Sequence, residues 1–62
     1  MKRIDFVRHL EHHNCVLVRE GGNHGIYRNT GNGKISAVGR HRELDKAMCK
    51  IMCKQLEIPF PE

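Results

Sequence analysis

Thr30-Gly31-Asn32-Gly33 constrains this chain more than any other segment. An Asn-Gly pair accepts the positive φ that a tight reversal needs, and a strand-like run lies on each side of it. His24 to Asn29 reads as one strand and Lys34 to Val38 as the next, so the middle of the chain is a β-hairpin. Upstream, Cys15-Val16-Leu17-Val18-Arg19-Glu20 is apolar and β-branched and reads as a further strand. Gly21-Gly22-Asn23 turns it into the hairpin. Lys2 to His13 reads as a helix with Phe6, Val7 and Leu10 on one face and Ile4 adjoining. Asn14 suits the left-handed position that ends such a helix. Gly39 to Arg42 is a loop, and Glu43 to Leu56 reads as a second helix. Its apolar face is assigned to Leu44, Met48, Ile51 and Gln55, widened by Ala47 and Met52. Glu43 and Asp45 fall in its first turn, where negative charge suits the helix dipole. The order α-β-β-β-α predicts a single α+β domain over residues 1–62, a three-stranded antiparallel meander with two helices on one face.

A chain of 62 residues has room for one domain and no more. At this size folding buries only about 60% of the unfolded surface, so a partner that covers part of the molecule is expected. Eleven Lys and Arg against seven Asp and Glu leave a charge of +4, which favours polyanions or an acidic partner. Cys15, Cys49 and Cys53 are an odd number and make no disulfide framework. The longest apolar run, Cys15 to Val18, is too short for a signal sequence or a membrane span. A cytoplasmic protein with reduced thiols, away from any membrane, is the expectation.

One histidine stands out against this background. His24 lies between Gly21-Gly22-Asn23 and Gly25-Ile26-Tyr27, near the start of a strand and at the edge of the sheet. The surrounding glycines leave backbone that a ligand can approach closely. Histidine both accepts and donates protons near neutrality. In a basic chain the ligand to consider is a nucleic acid. RNA cleavage without metal needs a proton taken from the 2′-hydroxyl and another delivered to the departing 5′-oxygen, and a positioned imidazole does either. Cationic neighbours then stabilise the charge that builds on the phosphoryl oxygens.

Val16-Leu17-Val18-Arg19, Gly22-Asn23-His24-Gly25-Ile26-Tyr27 and Val38-Gly39-Arg40-His41-Arg42-Glu43-Leu44 together resemble the HicA, or YcfA-like, toxin family. The resemblance runs from Met1 to Pro59. The family's hallmark is a Gly-Ser-His or Gly-Thr-His step, followed later by a Val-Pro-x-His-like segment that leads into the final helix. The resemblance implies a double-stranded-RNA-binding-like fold. It also implies a toxin of a type II toxin–antitoxin pair that acts as an mRNA interferase through the histidine matching His24. The implied partner is a HicB-type antitoxin, which masks that histidine. The chain departs from the pattern at Asn23, where Ser or Thr is usual, and at Gly39, where Pro is common. Asn14 and Cys15 replace a usual glycine and aromatic.

The remaining candidates are weighed individually. Asn23 helps to shape the His24 site, and Arg28, Lys34, Arg40 and Arg42 are candidate RNA contacts. Lys46, Lys50 and Lys54 recur at i, i+4, i+8, as a stripe that either contacts phosphate or is simply a solvated face. His41 is either a second proton carrier or phosphate contact, or a loop histidine flanking the second helix, and the latter is preferred. Tyr27, at strand spacing, packs in the sheet or against a helix rather than stacking on a base. His9, His12 and His13 on one helix and Cys49 and Cys53 on the other offer zinc ligand types, yet no Cys-x-x-Cys pair accompanies them. The cysteines are read as small apolar fillers, and no metal or cofactor is assigned. The leading reading is a metal-independent endoribonuclease with His24 as its acid/base. The alternatives are a non-catalytic RNA-binding module on the same fold and a toxin-like remnant that only binds its partner.

Overall fold

The computed structural model describes residues 1–61. Its elements are α1 (Arg3–His12), β1 (Cys15–Gly21), β2 (His24–Asn29), β3 (Ile35–Gly39) and α2 (Lys46–Leu56). The strands form one antiparallel sheet in the order β1-β2-β3. Side chains alternate across it as strand geometry requires. Cys15, Tyr27, Ser36 and Val38 are buried beneath the helices, while Val16, Arg28, Ile35 and Ala37 face outward and are exposed. Phe6 and Leu10 of α1 and Cys49, Met52, Cys53 and Leu56 of α2 join Cys15, Tyr27 and Val38 in one apolar cluster. Both helices therefore cover the same face, and the expected α-β-β-β-α architecture stands.

Each turn has a physical origin. Asn14 takes a φ of 63° and closes α1, as its position in the sequence suggests. The hairpin turns through Gly33 at φ 77°. Its flanking asparagines reach further than a turn requires. Asn29 Nδ2 donates to Leu56 O at 2.9 Å and Asn32 Nδ2 to the same oxygen at 3.2 Å, so the hairpin satisfies the C-terminal end of α2. Past that end, Glu57 is left-handed, with its N–H on Lys54 O and that of Ile58 on Cys53 O, a Schellman closure.

Two expectations are corrected here. α2 does not begin at Glu43. Asp45 is its N-cap, with Oδ1 accepting from the N–H of Ala47 and of Met48, and Glu43 forms a β-bridge with Lys2 instead. The buried face of α2 is also rotated from the predicted one. Cys49, Met52, Cys53 and Leu56 point inward, whereas Met48 and Ile51 are half exposed. Cys49 and Cys53 are the small apolar fillers the sequence suggests, but they define the buried face that the predicted stripe left out.

Candidate active site

His24 is the first residue of the middle strand, at the end of the sheet rather than along its edge. Its partner in β1 is Gly21 and its partner in β3 is Gly39. Directly paired residues point to the same face, so the imidazole stands between two positions that carry no side chain. The ring is exposed, on the face opposite the helices, and lines a shallow groove of about 750 Å³ that runs from Ile26 and Ala37 past the β3 edge of the sheet to Met48 and Ile51 of α2. A Cβ added at Gly21 would meet nothing within 4 Å, and one added at Gly39 would lie 3.8 Å from His41 Cδ2. The second histidine thus hangs over the glycine beside the first.

The loop after β3 is tied down on both sides of His41. The N–H of Arg40 donates to Asn23 O at 3.1 Å, and the N–H of Arg3 donates to Arg42 O at 2.8 Å. Met1 and Leu44 exchange backbone hydrogen bonds, extending this seam between the start of α1 and the loop. The seam brings basic residues together. Arg3 Nε donates to Gly39 O at 2.9 Å, from beneath the strand that flanks His24. A Cβ on Gly25 would lie 3.0 Å from Leu17 Cδ1 and in ordinary contact, at 3.7 Å, with a guanidinium nitrogen of Arg3, so glycine there makes room for Leu17 above the arginine. Arg40 is ion-paired with Glu20 across the sheet end. Lys2, Arg3, Arg40 and Arg42 line a cleft of about 810 Å³ with Ile4 and Val7, and Glu43 is its one acidic member.

The structure groups Asn23, Arg40, His41 and Arg42 with His24 and separates the other candidates. Arg28 shares the outer face with His24, four positions along β2, about 13 Å away at strand rise. Lys34 lines the far end of the same groove and pairs with Glu57 at 3.8 Å. Lys46 and Lys50 lie on the other flank of α2, roughly half a turn from the Met48 and Ile51 side that meets the groove. Lys50 sits over the Phe60 ring, 5.5 Å from its centroid. Lys2 and Arg3 were missed in the sequence. They fall at the start of the predicted first helix, and only the backbone pairing with residues 42–44 reveals their place.

Other chemistry is displaced. Tyr27 is buried in the core, as strand spacing predicted. All three thiols are buried, and burial raises each of them, Cys53 to about 11, so they stay protonated near neutrality. Among the described residues no group of three or more His, Cys, Asp or Glu is arranged to hold a metal ion. His9 and His13 stack edge to face, and His9 Nε2 lies 2.6 Å from Pro59 O.

The deciding comparison is with protein-family models, where the one described as HicA toxin of bacterial toxin-antitoxin matches residues 4–58. The chain belongs to the HicA toxin family. Membership carries the role of a toxin in a toxin–antitoxin system, and so implies an antitoxin partner. No curated protein and no solved structure matches this HicA-family chain. No helix among its described residues is long and apolar enough to cross a membrane.

Proposed function

We propose that this HicA-family toxin is a metal-independent endoribonuclease, an mRNA interferase, with His24 as a catalytic acid/base. The observation that carries the reading is the setting of His24, an exposed imidazole held in a strand between two bare glycines, with His41 and the basic loop after β3 next to one of them. Strand pairing fixes its backbone, and the missing side chains leave room for a ribose on either hand. Arg40 and Arg42, with Lys2 and Arg3, supply positive charge for the phosphoryl oxygens, and Asn23 closes the turn beside the ring. Transesterification at this site leaves a 2′,3′-cyclic phosphate and a 5′-hydroxyl. Arg28 and Lys34 extend the outer face along which the strand of RNA would lie, and Lys46 and Lys50 contribute long-range attraction from the other flank of α2.

The antitoxin is proposed to be a HicB-type protein that covers His24. Half-exposed Met48 and Ile51 and exposed Ile35 beside the groove are apolar surface of the kind a protein partner covers. Both partners act in the cytoplasm on this reading.

The test is incubation of the toxin and of His24→Ala with messenger-length RNA in EDTA. Cleavage by the first and none by the second is expected. Binding of RNA by both without cleavage by either would replace the enzyme with an RNA-binding module of the same fold.

A further inference from the structure

We infer that His41 is the second proton-transferring residue of this site, working opposite His24 in the same cleavage. The inference rests on the endoribonuclease reading above and adds the group that reading lacks.

The geometry begins with Gly39. It is the direct partner of His24 across β2 and β3, and the two point to the same face. Paired Cβ positions in such a ladder lie about 5 Å apart. The place where the Gly39 side chain would begin is 3.8 Å from His41 Cδ2. The two imidazoles therefore border one space, with only a glycine hydrogen between them at the level of the sheet. His41 is also presented rather than loose, because the backbone of the residue before it is bonded to Asn23 and that of the residue after it to Arg3.

The neighbouring groups leave few competitors for the role. Glu20 is engaged by Arg40, Tyr27 is buried, and the three thiols are buried and held protonated. His9, His12 and His13 lie at the opposite end of α1 from Arg3, about 10–15 Å along the helix. The charged groups around the pair are Arg3, Arg40, Arg42 and Glu20.

The step balances with two imidazoles and nothing more. One, neutral, takes the proton of the 2′-hydroxyl as that oxygen bonds to phosphorus. The other, protonated, gives its proton to the 5′-oxygen as the P–O5′ bond breaks. The cyclic phosphate keeps the charge of the original diester, and the enzyme ends with its one proton on the other ring.

Two substrates in EDTA test the assignment, an oligoribonucleotide and a ribonucleoside 3′-(4-nitrophenyl phosphate), whose leaving group departs without a proton. With the oligoribonucleotide, the wild type is expected to show a bell-shaped pH–rate profile. His41→Ala and His41→Gln are each expected to lose about 10²–10⁴-fold in kcat with little change in KM, and to keep one limb of the bell. Added imidazole restores part of the rate to His41→Ala. On the activated substrate, whichever of His24→Ala and His41→Ala lacks the acid recovers most of its loss, and the other does not. His41 variants that keep wild-type kcat, or that lose through KM alone with both limbs intact, overturn the inference while leaving the His24 nuclease standing. A wild type that cuts neither substrate removes the nuclease reading and this inference with it. His41 is exposed, and unchanged circular dichroism and Tm of its variants confirm that a lost rate is chemical.

Discussion

His24 owes its reach to what its lateral neighbours lack. Gly21 is paired with it on one side and Gly39 on the other, and neither has a positive φ that would itself demand glycine. Gly21→Val should therefore fold, since an added Cβ meets nothing there and a β-branched residue suits a strand. Its Tm should match or slightly exceed that of the wild type. The new side chain stands where the ribose must sit, and RNA cleavage should fall by about 10²-fold, as for other small misplacements at a reacting centre. A fully active Gly21→Val would show that the open flank is incidental. The cysteines give a second residue-scale expectation. Burial raises the Cys53 thiol to about 11, above its value in the unfolded chain. The folded state then binds the proton more tightly, so the contribution to stability is complete below about pH 9 and is lost as pH rises towards 11. Urea midpoints measured from pH 8 to 11 should decline, and Cys53→Ala should flatten that decline from its lower starting stability.

The elements were legible to different degrees, for physical reasons. β2 and its hairpin were plain, because Asn32-Gly33 and alternating side chains are local signals. The start of α2 was not, because an acidic residue reads equally well as a cap or as part of the first turn. The structure resolves it by placing Asp45 in extended backbone with its carboxylate on two N–H groups. Asp45→Ala should cost about 1 kcal/mol in equilibrium unfolding. The inward turn of Cys49 and Cys53 was hidden by Met48 and Ile51, which are larger apolar residues at equally good helical spacing. The role of Asn29 was beyond any local pattern. Its amide nitrogen reaches Leu56 O, and its oxygen accepts from the Gly31 N–H at 2.8 Å, so one buried side chain joins the hairpin to α2. Asn29→Ala leaves buried partners unsatisfied and should destabilise by about 1–3 kcal/mol. A loss well under that in urea titration would mean that Asn32 or water replaces the bond. At the site itself, the sequence made His24 and the Arg40-His41-Arg42 segment conspicuous. It concealed Arg3, whose relation to Gly39 is a contact between residues far apart in the chain.

At the scale of the whole molecule, two groups of basic residues lie apart from each other. Lys2, Arg3, Arg40 and Arg42 line one cleft at the loop after β3, the loop that begins at the partner of His24, whereas Lys50 and Lys54 lie on α2 and do not line the groove. On the proposed reading, the polyanion held at His24 also touches the first set. RNA binding by the cleavage-deficient His24→Ala protein, measured against salt, separates the two. Each phosphate contact on a single strand contributes about 0.7 to the slope of log K against log salt. Lys2→Ala or Arg42→Ala should lower that slope by about one such contact and weaken binding alike for all sequences. Lys54→Ala should leave the slope unchanged, because long-range attraction across the molecule is largely screened at about 0.15 M salt. Equal effects from the two sets would mean that the RNA wraps both sides of α2. The cleft lined by Lys2, Arg3, Arg40 and Arg42 would then lose its claim to hold the cleaved phosphate.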